Sequence, residues 1–354
     1  MLPTSSIRGT TSRDVFPVTR DLVPGGGCSC ALLYTPPGRR LAPVGLRAGQ
    51  SVGRPGVAAP LRFCDEAAFC AAGRLARVDW KGRTTIGATG SHTLADPDGA
   101  GLALTGERTL PGIAAENYWF RRHEAAYHHL LDHLSEDARG PRLLEVGAGE
   151  GYGAALLAEQ APGVLALDYD ARAISHLARR YPALDAVRAN LAALPVADAA
   201  IDTVVSLQVI EHVWDHPQFL AECVRVLRPG GLLALSTPNR LTFSPGAGST
   251  DRPVNPFHTH EFTATELVRL VAGAGLVIES VRGLFAGPRL TGLDRRHGGL
   301  VAAQLANDPQ DWPAELAADV ASVGWRDFEI GPDRRGDLGE LDASLDLILL
   351  ARRP

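Results

Sequence analysis

Three groups of residues in this 354-residue chain have types and spacing suited to chemistry. The first is Glu145-Val-Gly147-Ala148-Gly149-Glu150-Gly151, an acid followed by three glycines at alternate positions. Glycine lets a backbone turn sharply and lets a ligand approach the main chain closely. Where such a turn opens a helix, the first helical N–H groups point outward and accept a negative or polar group. The second group is Glu211-His212, and the third is His258-Thr259-His260-Glu261. A neutral imidazole takes up a proton near neutral pH, whereas a carboxylate and two histidines can share a divalent ion that lowers the pKa of a bound oxygen. Either arrangement activates a hydroxyl.

The elements that must position these groups follow from the hydrophobic pattern. Residues 143–146 are a short apolar run, read as a buried strand, and 152–160 an apolar-periodic helix. A second strand, 163–168, ends in Asp168, about 20 residues beyond Gly147, the separation at which an acid accepts both ribose hydroxyls of a nucleoside. Asp170 is placed to cap the helix 171–180. A third strand at 184–189 precedes Asn190-Leu191, and a fourth at 199–206 carries Asp202 at its start, where it binds backbone. Glu211-His212 then falls just past the fourth strand's C-terminal end, where open parallel sheets place their ligands. A helix at 216–227 is stopped by Arg228-Pro-Gly-Gly231, and a fifth strand covers 231–237. After an irregular connection come a helix at 263–274, a strand at 276–282 and a last strand at 344–351. The insertion between them, 283–343, carries helical pieces near 293–306 and 313–322 and is read as a cover over the acceptor side.

A dinucleotide fingerprint needs G-x-G-x-x-G, and Tyr152 stands at its third glycine, which argues against an NAD-dependent oxidoreductase. The ordered set Glu145-x-Gly147-x-Gly149-x-Gly151, Asp168, Asn190, Glu211-His212 and Arg228-Pro-Gly-Gly231 instead resembles class I S-adenosylmethionine-dependent methyltransferases, of the type 11 and ubiquinone-biosynthesis O-methyltransferase kind. The resemblance implies an α/β, Rossmann-like doubly wound fold, with a seven-stranded mostly parallel sheet whose last strand is antiparallel. It implies S-adenosylmethionine as cofactor, its methionine part held by Glu145 and the glycine loop, its ribose by Asp168, and its adenine by Asn190 with Leu191 packed on the ring. Ala148, Tyr169 and Gln208 complete that cofactor-binding set.

Glu-His after strand four with a later His-x-Phe resembles the metal site of small-RNA 2′-O-methyltransferases, and Glu-His also occurs in quinone-pathway O-methyltransferases. This implies Glu211, His212 and His260 as the catalytic group and as ligands of a divalent cation such as Mg or Mn. His260-Glu-Phe fits the register of the later element better than His258 does. Gln208 stands where the RNA enzymes have a further acid, which sets an RNA acceptor aside. Two mechanisms stay open, a histidine base (His212 or His260) and the shared metal. The plainer alternatives are that Glu211 and His212 shape the pocket floor and that His258 bonds backbone.

The segments Thr105-Gly-Glu-Arg-Thr109, Glu116-Asn-Tyr-Trp-Phe120 and Asn255-Pro-Phe-His258 resemble actinobacterial methyltransferases associated with polysaccharide or glycolipid assembly. That implies a small-molecule or carbohydrate acceptor, with a sugar hydroxyl first, a quinol or small aromatic hydroxyl second, and an amine third. A non-catalytic, cofactor-binding regulatory protein is the alternative from another class. It needs no convergent cluster such as Glu211, His212 and His260.

Composition sets outer limits. Hydrophobic residues at 45% and charged residues at 21% suit a soluble globular chain. A net charge of -5 without a basic stripe excludes duplex nucleic acid as the expected partner. No apolar run approaches the length of a membrane span, and the N-terminus lacks signal-peptide order, so a cytoplasmic protein is expected. Cys28, Cys30, Cys64 and Cys70 lack the spacing of a zinc knuckle.

Residues 1–104 are rich in Gly, Pro, Ala, Arg and Thr without sustained period, apart from a short helical piece at 67–78, and are read as a disordered or mis-annotated extension. The catalytic domain is expected at 105–354, with its core at 142–282 and 344–352. In 116–134, Trp119, Phe120, His123, Tyr127, Leu130, Leu131 and Leu134 share one helical face, either as core packing or as a lid. Lys81 is the single lysine and Met1 the single methionine, a bias expected of GC-rich coding sequence in which a start codon is easily placed upstream, so the native start is expected near residues 102–109. A protein lacking the first hundred residues is expected to keep full cofactor affinity and melting temperature; a large loss of either contradicts this organisation.

Overall fold

The computed structural model describes residues 108–354, apart from 138–141 and 162. The expected extension at 1–104, its short helix and the four N-terminal cysteines lie outside the described residues. A single tight turn, Ala114–Glu116, leads into α1, Asn117–Asp137. Phe120, Tyr127, Leu130, Leu131 and Leu134 are buried along it, while Trp119 and His123 are half-buried.

The chain then alternates strand and helix: β1 Arg142–Val146, α2 Tyr152–Ala158, β2 Gly163–Asp168, α3 Ala171–Arg180 and β3 Asp185–Arg188. β4 Ile201–Leu207, α4 His216–Val226 and β5 Leu227–Pro238 follow, and the short α5 Arg240–Phe243 begins the irregular connection. α6 Ala264–Gly273, β6 Val277–Ala286, α7 Pro288–His297, α8 Leu300–Leu305, α9 Ala314–Ser322, β7 Phe328–Ile330 and β8 Asp346–Arg352 complete the described elements. The sheet order is β3-β2-β1-β4-β5-β8-β6-β7. β3, β2, β1, β4 and β5 are mutually parallel, as helical crossovers require. β8 is antiparallel to both β5 and β6.

Alternate side chains leave the strands toward opposite faces. Leu143, Val164 and Ala166 pack with Tyr127 and Leu130 of α1 on one face. Leu144, Leu165 and Leu167 pack with Phe219 and Leu220 of α4 and Leu267 of α6 on the other. The order reverses between β1 and β4, and the C-terminal ends of β1, β2, β4 and β5 open on one edge, where a doubly wound sheet takes its ligand.

Three details differ from the sequence reading. The sheet has eight strands, because the insertion adds β7 antiparallel to β6; three residues are too short a run to show a period. The single helical piece expected at 293–306 is two helices, broken where Gly298 adopts the left-handed conformation. β5 starts directly at Leu227, and Arg228-Pro-Gly-Gly231 forms the irregularity that shifts its register on β4.

Local sequence secures the functional edge. Asp170 caps α3 by accepting from Arg172 N, and Thr263 with Glu266 forms a capping box on α6. Asp202, at the start of β4, accepts from Arg142 N at 3.1 Å and also pairs with the Arg142 and Arg228 side chains. Asn239, buried just past β5, accepts from Leu241 N at the start of α5 and gives its amide to the carbonyls of Leu341, Asp342 and Ser344 at 2.9, 3.1 and 3.2 Å. Asn239→Ala removes the cap on Leu241 N and the donor to Asp342 O, while Leu341 O and Ser344 O keep Ser344 N and Thr242 Oγ1, and is expected to cost about 1–2 kcal/mol in a urea melt; an unchanged midpoint contradicts this account of the connection.

Candidate active site

The glycine loop leaves β1 with Gly147 and Ala148 donating to Leu167 O, both at 2.8 Å. Gly147 has φ +82, and a Cβ there would strike Val209 in the chain past β4, so the loop lies flat on the sheet edge. Gly149 N donates at 2.8 Å to Asp168 Oδ2, while Asp168 Oδ1 accepts from Asp170 N at 2.8 Å. The acid after β2 and the loop after β1 are thus one unit. Burial raises the Asp168 pKa despite these bonds and the nearby Arg108, which pairs with Asp170 at 2.7 Å. Asn190 accepts from Ala192 N at 2.9 Å, Leu191 is half-buried and Tyr169 is exposed beside the same edge, with Arg188 over its ring. Glu145 points from β1 into the interior and accepts from Tyr127 OH at 2.7 Å. Burial pushes its pKa up to about 8.

A second polar cluster lies past β4 and β5. Glu211, on a single helical turn at Ile210–His212, is buried and accepts from Thr237 Oγ1 of β5 at 3.0 Å. Burial pushes its pKa up to about 7, partly offset by His258. His212 Nδ1 lies 3.1 Å from the Phe257 carbonyl oxygen, which only accepts. That assigns the proton to Nδ1 and the lone pair to Nε2. His258 Nδ1 is 2.6 Å from Glu261 Oε1, and Nε2 is 3.0 Å from Asn255 Nδ2. Asn255 Oδ1 accepts from Phe257 N at 3.0 Å, which fixes the amide's orientation.

One expected site member is corrected. Glu211, His212 and His258 have ligand atoms within 4.8 Å of one another, whereas the sequence reading grouped His260 with Glu211 and His212. His260 turns away, its ring 4.5 Å from Phe262 and 5.8 Å from His216 by centroids, and burial lowers its pKa. The reason lies in the main chain. Thr259 N and His260 N donate to Glu211 O at 2.7 and 3.3 Å, and Thr259 Oγ1 donates to Val213 O at 2.7 Å. Clamped at Thr259, the segment sends His258 inward and His260 outward.

Gln208 follows directly on the end of β4. It has φ +57, accepts from Arg122 Nη2 at 3.1 Å and donates to Ser236 Oγ at 3.1 Å. Arg122 of α1 is buried, ion-paired with Asp346 of β8 at 3.0 Å and set over the rings of Phe243 and Trp119. Sequence reasoning missed Arg122 and Asp346. An acid within the apolar run of the last strand was the readable signal for the second; Arg122 gave none.

A carboxylate-and-glycine cradle at the reversal point of a parallel sheet, with a histidine–carboxylate cluster beside it, defines a group-transfer enzyme built on a nucleoside cofactor. A family model described as a methyltransferase domain matches residues 144–235. A protein of Mycolicibacterium smegmatis named as a probable S-adenosylmethionine-dependent methyltransferase is 50% identical over 267 residues, covering 74% of this chain and all of the relative. One from Mycobacterium tuberculosis is 52% identical over 259 residues, covering 72% of this chain and 90% of that one. A phthiotriol/phenolphthiotriol dimycocerosates methyltransferase of Mycobacterium ulcerans is 38% identical over 118 residues, covering 32% of this chain and 42% of the relative. The chain belongs to the S-adenosylmethionine-dependent methyltransferases. S-adenosylmethionine is its methyl donor, and the oxidoreductase and non-catalytic readings fall away. Among the described residues no helix is long and apolar enough to cross a membrane.

The raised acids predict a pH dependence. In the unfolded chain Glu145 and Glu211 titrate near 4.5; in the fold they titrate near 8 and 7. Their contribution to stability is fully present below about pH 4.5 and is lost as pH rises through the folded values. The cofactor-free protein is therefore expected to lose melting temperature between about pH 5 and 8, and Glu145→Gln is expected to flatten that decline. A profile that is flat in the unmodified protein contradicts the burial of ionisable acids here.

Proposed function

We propose that this methyltransferase acts on a hydroxyl, first of all that of a sugar in a polysaccharide or glycolipid, with His212 as the general base. The observation that carries the hydroxyl reading is the cluster that His212 forms with Glu211 and His258, ligand atoms within 4.8 Å of one another, with His212 Nδ1 held on the Phe257 carbonyl. The cofactor supplies an electrophilic methyl carbon on a sulfonium. His212 Nε2 would take the acceptor's proton as its hydroxyl oxygen accepts the methyl group that the bound cofactor would supply, the sulfonium leaving as a neutral thioether. Glu211, once ionised, stabilises the imidazolium that forms. Thr237 and the Thr259 clamp hold Glu211 in place throughout.

The sugar is supported by the rim. Trp214, two residues past His212, is 89% exposed, and Phe257, whose carbonyl holds His212, is 42% exposed. Flat aromatic surfaces beside a hydroxyl-activating group suit the apolar face of a pyranose ring. The relative named for phthiotriol and phenolphthiotriol dimycocerosates supports keeping lipid-borne hydroxyls among the acceptors tested.

A divalent cation such as Mg or Mn is the second reading, favoured by the clustering of Glu211, His212 and His258. Both histidines place Nδ1 against an oxygen, the Phe257 carbonyl and Glu261, as metal-binding imidazoles do. His258 Nε2 meets Asn255 Nδ2, so its use as a ligand requires Asn255 to turn aside. An ion there would polarise the acceptor oxygen.

With a labelled methyl donor and a panel of sugars, short glucans, quinols and amines, transfer to a sugar hydroxyl is expected; success with amines alone contradicts the hydroxyl reading. His212→Ala is expected to lower kcat by about 10²–10⁴ with cofactor affinity retained. Trp214→Ala is expected to raise the KM of an oligosaccharide acceptor while kcat holds. Turnover that survives thorough chelation removes the metal reading, whereas loss restored by Mg or Mn removes the base acting alone.

A further inference from the structure

Tyr127 belongs to no recognised cofactor motif, yet it occupies the interior of the cofactor cradle. It descends from α1, buried, and its hydroxyl donates at 2.7 Å to Glu145 Oε1. Its ring stands edge-on to Tyr152, the first residue of α2, at 5.6 Å between centroids. Gly153 beside it has no room for a side chain, because a Cβ would strike both the Tyr127 phenol and Glu145 Oε1. Three elements therefore converge on one carboxyl group with no slack between them.

The other oxygen, Glu145 Oε2, is buried without a hydrogen-bond partner. A bare anionic oxygen in a dry interior is costly, and it is relieved by a proton or by a cation. The groups facing Glu145 do not supply the cation. Tyr127 of α1 and the Ala154 N–H of α2 favour its charge through hydrogen bonds, while Asp168 of β2 and Glu150 of the glycine loop oppose it. Tyr152 faces it as a neutral phenol. In the free protein the group thus keeps a proton into the neutral range.

We propose that Tyr127 is a positioning residue that fixes Glu145 so that Oε2 receives the ammonium group of the cofactor's methionine part, and that cofactor binding expels the proton Glu145 carries in the free protein. This rests on reading Glu145 as the acid on the methionine side. The hydrogen bond to Oε1 leaves only Oε2 for the incoming cation, and once that cation is seated the anionic form is the stable one. Affinity for S-adenosylmethionine then rises with pH until Glu145 is ionised in the free protein.

The test is titration calorimetry of the full chain at pH 7 in two buffers of different ionisation enthalpy. S-adenosylmethionine and S-adenosylhomocysteine carry the ammonium; 5′-methylthioadenosine lacks it. The unmodified protein is expected to release about one proton with the first two ligands and none with the third. Tyr127→Phe is expected to weaken the first two by about tenfold to a hundredfold, leave 5′-methylthioadenosine unchanged and move the pH at which affinity levels off upward. Equal weakening of all three ligands shows a merely structural tyrosine and overturns the proposal, as does the absence of proton release. Glu145→Gln separates the layers. If it leaves S-adenosylmethionine affinity unchanged, the reading of Glu145 itself fails; if it weakens binding while Tyr127→Phe does not, only the role of Tyr127 fails.

Discussion

Burial of acids at the carboxyl edge of the sheet is the constraint on which the rest of this structure depends. Glu145, Glu211, Glu261 and Asp346 are each about 1% exposed. A carboxylate taken from water into an interior needs hydrogen bonds, a cation or a proton. Their partners come from three elements: Tyr127 and Arg122 of α1, Thr237 of β5 and His258 of the clamped loop. The need to neutralise these groups is what draws a helix, a loop and the last strand onto a sheet edge that parallel topology alone leaves open.

Helix α1 shows how far one element can serve two halves of a site. Tyr127 meets Glu145 beside the glycine loop, and one and a half turns earlier Arg122 meets Gln208 past β4 and Asp346 of β8. The insertion in turn holds α1: Asn117 gives its amide to the carbonyls of Val320 and Val323, Tyr118 packs on Phe328, and His128 stacks on Trp325. The late insertion, expected as a cover on the acceptor, thus packs in large part on α1.

Much of this was legible in the chain because it is local. Strand–glycine–helix order, the cap at Asp170 and the backbone role of Asp202 each depend on neighbours within a few residues or on the repeating period of parallel units. Asp168 was singled out by its distance from Gly147, and the structure joins it to Gly149. The failures are non-local. Choosing between His258 and His260 depended on a clamp between Thr259 and the carbonyl of Glu211, 48 residues away. Tyr127 read as a core aromatic on a helical face, and burial is what it has; the single oxygen that gives it a further role meets Glu145 across a strand boundary. β7 was invisible because three residues carry no pattern.

The central claim is that Glu145 waits protonated in the free enzyme and ionises against the cofactor. Carboxyl ¹³C NMR of glutamate-labelled protein, titrated with and without S-adenosylhomocysteine and assigned by loss of the signal in Glu145→Gln, reads this group directly. In the free protein the Glu145 carboxyl is expected to titrate near pH 8, and with ligand bound to move down toward the ordinary carboxylate range. A Glu145 signal already ionised throughout the neutral range, or one that ligand leaves in place, would contradict the claim.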